Sequence, residues 1–352
     1  MLKNYRFLTS GESHGKCLTG IIEGVPAGFN INTEEINNEL QKRQQGYGRG
    51  KRMQIEFDTV EIKSGVRFGK TTAAPICLEI QNKDHENWKE ILSIHSRDKN
   101  DQKSFTAPRP GHADFAGKMK YNFEDLRDVL ERASARKTAM NVAIGSVAKQ
   151  ILKEFKITSE VEILSVLGQK DYEHEIEKVR EMGDSLGGKF KIIYKNVPIG
   201  LGSYVQWDRK LDGIIAQAVM SVPAVKSVEI GLGCEYEKHL GSQVHDELYF
   251  DGQYHHKTNN AGGIEGGMSN GEDIVISATM KPIPTIKKSL NTVDLKDNSQ
   301  CEAHFERSDI CAVEACAVIA DNMIACVILD EFLDKFGKDN IDEIKKNYEQ
   351  KA

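Results

Sequence analysis

RPGHADFAGKMKYNFEDLRDVLERASARKTAM, Arg109 to Met140, sets a turn, a histidine and a string of arginines in front of a helix. Pro110 fixes φ and Gly111 admits a left-handed conformation, so His112 is expected just past a sharp bend, outside any regular element. Held in that way it is a candidate acid or base; taken alone, the same histidine would serve as a cap or a core side chain. Asn122 reads as an N-cap for a short helical piece carrying Leu126, Val129 and Leu130. Ser134 reads as the N-cap of a longer helix, because Met140, Ile144, Val147 and Ile151 then fall on one face. A helix start flanked by Arg132 and Arg136 suits an anion. Arg136 and Lys137 in a first turn are locally unfavourable unless an anionic ligand offsets them.

Around this stretch, 352 residues of 39% hydrophobic content can bury a large core. Eight prolines and no low-complexity tract leave no linker. One compact domain over residues 1–352 is therefore expected, with the charged span 82–108 as a mobile flap leading to Arg109. A net charge of -6 and a pI near 6.0 argue against bulk binding of nucleic acid or anionic membrane, so any anion site must be a local cluster. Polar residues from Lys3 to Glu12 stand where a signal peptide would be apolar, and no run of about 18 apolar residues suggests a membrane span. The chain reads as cytoplasmic. Seven cysteines include no C-x-x-C pair and ten histidines show no zinc-like spacing, so neither a disulfide framework nor a metal is expected.

Towards the N-terminus, Gly11-Glu12-Ser13-His14-Gly15 follows the strand-like Tyr5 to Leu8 and makes a tight loop that lets backbone amides and His14 approach a ligand. Thr33 reads as the cap of an amphipathic helix, Glu34 to Lys42. That helix runs into Lys42 to Met53, with five cations, three glycines and one tyrosine in twelve residues. Such a loop suits RNA or a small polyanion equally, and the acidic net charge favours the small ligand. Ser64 to Thr71 is a near miss to a phosphate-binding P-loop, but a serine stands where a glycine is needed and a strand, Ile76 to Ile80, follows where a helix should. Towards the C-terminus, a strand is expected around Lys191 to Tyr194, a helix over Leu211 to Met220 and a turn and buried strand over Ser221 to Gly231. Gly262 to Gly271 holds five glycines in ten residues, which points to close backbone approach to a ligand or to an irregular turn. Lys281-Pro282-Ile283-Pro284-Thr285 suits a rigid binding edge after a strand, Asp273 to Met280. Arg307-Ser308-Asp309 precedes a long apolar helix, Val313 to Phe332, for which Asp309 could be the N-cap.

GESHG at 11–15, RPGHAD at 109–114, ERASAR at 131–136, SVPAVKSVEIG at 221–231, AGGIEGGMSNGE at 261–272, KPIPT at 281–285 and RSD at 307–309 together resemble the chorismate synthase family, in order and over nearly the whole chain. The resemblance implies an α+β fold, one large domain built as a β-α-β sandwich, and a homotetramer. It also implies the last step of the shikimate pathway: 1,4-anti elimination of phosphate from 5-enolpyruvylshikimate 3-phosphate to give chorismate, with reduced FMN (FMNH2) and no net redox change. By motif position it casts His14 as proton donor to departing phosphate, His112 as the partner of the flavin's negative charge near N1, and Asp309 as the group managing the proton at flavin N5. Substrate contacts are expected from Arg43, Arg49, Met53, Arg109, Arg136 and Arg307, whose guanidinium forks match a phosphate and two carboxylates. Flavin contacts are expected from Arg132, Ala133, Ser134, Ala224, Gly266, Lys281, Pro282, Ile283, Pro284, Thr285 and Arg307. Arg43 and Arg49 are the candidates for contact with NADPH in members that reduce their own flavin; other members rely on a separate flavin reductase. Lys137 stands where the family carries an acidic residue, which removes half of a capping box. Asn141 stands where arginine is common, and Ala73 where glycine is usual.

Overall fold

Three backbone amides at the start of the chain converge on one carboxylate near its end. In the computed structural model, which describes residues 2–50, 57–98, 104–303 and 309–351, Asp330 accepts from the N–H groups of Lys3, Asn4 and Tyr5 at 2.9, 2.6 and 2.8 Å. This anchors the entry to β1, Arg6–Ser10. The chain turns back as β2, Cys17–Glu23, and the antiparallel sheet is completed by β3, Val60–Ile62, and β4, Ile76–Gln81, in the order β1-β2-β4-β3. Leu18, Ile22, Ile76, Leu78 and Ile80 alternate onto one buried face, as period-two strands with a single covered side must.

A second antiparallel sheet repeats the arrangement. It consists of β5, Thr158–Val166, β6, Gly188–Lys195, β7, Val225–Ile230, and β8, Ile274–Met280, in the order β5-β6-β8-β7. In each half a helix joins the second and third strands: α1, Thr33–Gln44, in the first. After the fourth strand the first half continues through α2, Asp114–Tyr121, and α3, Arg127–Ala133, into the long α4, Thr138–Lys153. The second half carries α5, Glu173–Met182, then α6, Leu211–Met220, and ends in α7, Val313–Phe336, and α8, Ile341–Lys351.

The long helices form the middle layer. α4 packs on β2 and β4, α7 packs on β5 and β6, and α4 and α7 pack on each other. A helix covered on both sides should be apolar nearly all round, and α7 buries most of its residues. Their crossing is close because Gly145 has no side chain: a Cβ there would lie 2.3 Å from the Asn322 carbonyl oxygen. Two buried tyrosines tie the layers together, Tyr5 donating to the Ile144 carbonyl and Tyr194 to that of Asp321, each at 2.7 Å. Between α1, α4 and α7, Lys149 bridges Glu39 (2.9 Å) and Asp321 (2.7 Å), and Asn322 donates to Glu39 at 3.0 Å. The expected β-α-β sandwich is therefore what the chain forms, with one shared apolar core.

Several local expectations are corrected. The cap of α1 is Asn32, whose Oδ1 accepts from Glu34 N at 2.9 Å; Thr33 is the first helical residue. Asn122 is a C-terminal residue of α2, at φ 56°, and α2 itself was not foreseen in the stretch after His112. α7 follows Ala312 and runs to Phe336, so Asp309 is too far upstream to cap it. Ala73, standing where the resemblance expects glycine, has φ 62°, the conformation that favours glycine.

Candidate active site

The turn into α4 assembles the first group of side chains. Ser134 caps a single 3-10 turn, Ala135–Lys137, by accepting from Arg136 N at 3.3 Å, and α4 proper follows. The reciprocal half of a capping box is absent, as Lys137 required; burial and the charge of Arg132 lower the Lys137 pKa. Arg136 does not project into solvent. Its Nη1 lies 2.7 Å from both carboxylate oxygens of Asp58 and its Nε donates to Asn82 Oδ1 at 2.8 Å. Arg43, on the last turn of α1, reaches the same place: Nη1 is 3.5 Å from Asp58 Oδ2 and Nε donates to Thr138 Oγ1 at 3.1 Å. Burial lowers the Arg43 pKa to about 10, with Asp58 opposing that and Arg136 and Arg49 reinforcing it. The unfavourable charges at this helix start are thus met first by an internal carboxylate, Asp58, which sequence reading did not single out.

The Gly11–Gly15 loop lies against this group. Asn82 Nδ2 donates to the carbonyls of Glu12 (3.1 Å) and Gly15 (2.7 Å), which fixes the loop. Arg132 donates to the carbonyls of Gly11 (2.9 Å) and Thr9 (2.7 Å), and Ser134 Oγ lies 3.2 Å from Ser13 Oγ. His14 is buried, with Nδ1 3.0 Å from Glu131 Oε1, its ring stacked on Trp88 at 4.0 Å and its carbonyl accepting from His85 Nδ1 at 3.0 Å. Arg49 and Asp309 form a neighbouring pair: Nη1 to Oδ2 is 2.8 Å, and Gly50 N–H donates to Oδ1 at 2.7 Å. Arg49 Nε is buried without a hydrogen-bond partner among the described residues, which leaves a donor suited to an anion.

The RPGHAD turn forms a second group with the KPIPT edge. Arg109 donates to the buried Asp114 from Nε (2.8 Å) and Nη2 (3.1 Å), and to Thr285 Oγ1 at 3.4 Å. His112 Nδ1 is 2.5 Å from Asp114 Oδ1. Burial alone would raise the Asp114 pKa, but the bonds from His112 and Arg109 hold it well below the usual carboxylate range. An ionised carboxylate only accepts, so Nδ1 carries a proton towards Asp114, while Arg109 Nη2 lies 2.9 Å from Nδ1 and 3.4 Å from Nε2 of the same ring. Lys281 Nζ donates to the Gly111 carbonyl at 2.5 Å while its N–H bonds to the Ala224 carbonyl at 2.9 Å, with Ala224 at φ 71°. Burial and the charge of Lys226 lower the Lys281 pKa. Ser185 Oγ donates to the Ile283 carbonyl at 2.6 Å, pinning the edge between Pro282 and Pro284.

The structure thus gathers His14, Arg43, Arg132, Ser134 and Arg136 at the start of α4, with Arg49 and Asp309 beside them. It gathers Arg109, His112, Lys281 and Thr285 in the second group. None of the contacts described above passes directly between the groups; α2 and α3 link them along the chain. Gly266, at φ 60°, sits in a turn where a Cβ would meet nothing within 4 Å. Met53 and Arg307 lie outside the described residues, as do Lys51 and Arg52 of the basic loop. The residues missed from the sequence are Asp58, Asn82, Trp88, Asp114 and Glu131. Asp114 and Glu131 stood inside the motifs already quoted, while nothing local marks Asp58, Asn82 or Trp88. A cleft of 930 Å³ is lined by residues such as His95, Lys118 and Lys296 and shares no residue with either group. No described helix is long and apolar enough to cross a membrane, and no cluster of metal-ligating side chains occurs among the described residues.

Comparison with known proteins shows the family. The chorismate synthase family pattern matches residues 5–333. The chain is 52% identical to a chorismate synthase of Thermoanaerobacter pseudethanolicus, over 98% of its own length and 97% of the relative's. It is 48% identical to one of Aquifex aeolicus, over 99% and 97%. A crystal structure of a chorismate synthase superposes with a TM-score of 0.79 at 40% identity, covering 99% of this chain and 98% of the other.

Proposed function

The chain belongs to the chorismate synthase family, and on that premise we propose that it eliminates phosphate and the C6 proton from 5-enolpyruvylshikimate 3-phosphate, giving chorismate as the last step of the shikimate pathway. The observation that carries this reading is the convergence of Arg43, Arg49 and Arg136 on the helix start that also meets His14. One phosphate and two carboxylates call for several guanidinium forks in one place, with a proton donor beside the leaving oxygen. Arg43 and Arg49 turn inward to Asp58 and Asp309, an arrangement that suits a small anion better than an extended RNA.

In this reading Arg43, Arg49 and Arg136 bind the substrate's anionic groups with Arg109, Met53 and Arg307, and His14 gives the departing phosphate its proton from Nε2. The residues present also fit reduced FMN. The turn at Gly266 is open enough that a Cβ would meet nothing within 4 Å, and Ser185 pins the Lys281–Thr285 edge through the Ile283 carbonyl. Arg132, Ser134, Lys281 and Thr285 provide the cationic and hydroxyl donors that a flavin phosphate and ribityl chain require. Reduced FMN, when bound, would supply electron density and a base to the elimination. His112 would balance the negative charge of the bound flavin, and Asp309 would hold or release a proton beside it. Ala133, Ala224, Ile283 and the flanking Pro282 and Pro284 shape the walls. The enzyme acts as a cytoplasmic homotetramer, with NADPH as reductant through Arg43 and Arg49 or with a separate flavin reductase.

The test is anaerobic chorismate formation with chemically reduced FMN. The parent should turn over, and His14→Ala and His112→Ala should each fall by roughly 10²- to 10⁴-fold while folding normally. Turnover by either variant within a few-fold of the parent removes that histidine's role. Repeating the assay in air with NADPH alone separates self-reduction from dependence on a reductase.

A further inference from the structure

Glu131 is almost completely buried, 3% exposed, on α3. It grips His14 twice: Oε1 lies 3.0 Å from Nδ1, and Oε2 accepts the His14 main-chain N–H at 2.9 Å. Its own carbonyl accepts Ser13 N–H at 3.0 Å. Three bonds from one residue thus fix both the backbone and the ring of a loop bounded by glycines. Trp88 closes one face of the imidazole, stacked at 4.0 Å and 22°. Arg127 lies over the Trp88 ring at 5.2 Å and 3.7 Å from Glu131, so an ion pair backs the clamp. The stack restricts rotation of the His14 ring, and the carboxylate, as an acceptor, holds a proton on Nδ1, so the ring that donates from Nε2 carries a proton on both nitrogens.

We propose that Glu131 is the positioning residue of His14, holding the ring by Nδ1 and the main chain so that Nε2 is aimed at the leaving phosphate oxygen. This rests on the reading of His14 as proton donor to that phosphate. A mere structural pair would stabilise the loop through one bond to the backbone; gripping the ring nitrogen as well makes the orientation of the acid depend on the carboxylate.

The experiment is a double-mutant cycle in the holoenzyme with pre-reduced FMN: parent, Glu131→Gln, His14→Ala and both together. Glu131→Gln should lower kcat roughly 10- to 100-fold with KM within about threefold, because a neutral amide pairs less well than a carboxylate with the doubly protonated ring that donates from Nε2. In the His14→Ala background the same substitution should change kcat by less than about threefold, since the group it acts through is gone. Glu131→Asp, which keeps the charge, should recover part of the loss and serves in the same cycle if the glutamine variant does not fold. Losses that multiply in the double variant overturn the proposal, as does a Glu131→Gln enzyme with normal kcat. If His14→Ala itself turns over normally, the reading of His14 fails, which is a separate result.

Discussion

Arg49 Nη1 stands 2.8 Å from Asp309 Oδ2 in a pair that is mostly shielded from solvent. The other oxygen of Asp309 takes the Gly50 N–H, so the carboxylate joins the basic loop to the approach of α7. Asp309→Asn keeps an acceptor for Gly50 but loses the ion pair and the ability to take a proton. Its melting temperature should fall by only a few degrees, because the amide still bonds the loop. Chorismate formation with pre-reduced FMN should fall at least roughly tenfold, a loss smaller than for a general base if water substitutes. Normal turnover would take Asp309 out of the chemistry.

Asp58 neutralises two buried guanidiniums at once. Asp58→Asn leaves Arg43 and Arg136 facing a neutral amide, and breaking such a pair costs about 3–5 kcal/mol. The same change empties the helix start of its internal anion. Inorganic phosphate should therefore raise the melting temperature of Asp58→Asn more than that of the parent. Equal shifts in a phosphate titration would show that the two arginines do not receive an external anion.

Glu39 supplies the pH dependence of the middle layer. Burial opposes its ionisation, yet Lys149 with the bonds from Lys42, Lys149 and Asn322 prevails and brings its pKa down to about 2 from 4.5. A depressed folded-state pKa means that the stabilisation is whole above about pH 4.5 and is lost as pH falls through about 2. Its size is on the order of 3 kcal/mol. Urea unfolding at pH 5.5 and 2.5 should show the parent losing about that much more stability than Glu39→Gln over the interval. Parallel losses would mean that the Lys149 bridge does not persist in solution.

Gly145 and Gly20 make a matched pair of tests. A Cβ at Gly145 would strike the main chain at Asn322, whereas one at Gly20 would meet the movable sulfur of Met140 at 2.6 Å. Gly145→Ala should destabilise by about 1–3 kcal/mol or more, and Gly20→Ala by less, because a thioether can repack and a helix backbone cannot. Chemical denaturation of the two variants decides, and a reversed order would mean that α4 and α7 separate more easily than their packing suggests.

The periodicity of Met140, Ile144, Val147 and Ile151 was enough to place α4, because a helix between a sheet and another helix must repeat its apolar face every three or four residues. The same reasoning missed α2, whose eight residues bury only Asp114. Motifs gave His14 and His112 but not the carboxylates that hold them. Glu131 is 117 residues from His14, and no local pattern reports a bond closed over that distance. Asp309 was ambiguous for a similar reason: a short polar residue before a helix looks like a cap until the backbone shows where the helix begins. Arg136 read as a receptor for an external anion because Asp58, its internal partner, lies 78 residues earlier.

The bond between Tyr5 N–H and Asp330, 325 residues apart, has a consequence for synthesis on the ribosome. The first strand leaves the exit tunnel long before the residue that anchors it exists. At roughly 5–20 residues per second the wait is on the order of 15 to 65 s. Throughout that interval α4 also lacks α7, so the Gly145 side of the half-built protein faces solvent as an apolar helix stripe. Such a nascent chain is a natural client for holding chaperones, and release of full-length product, rather than completion of the first sheet, becomes the event that commits the molecule to its native state. Chains stalled near residue 300 should therefore remain protease-sensitive at the N-terminus, and completed chains should not.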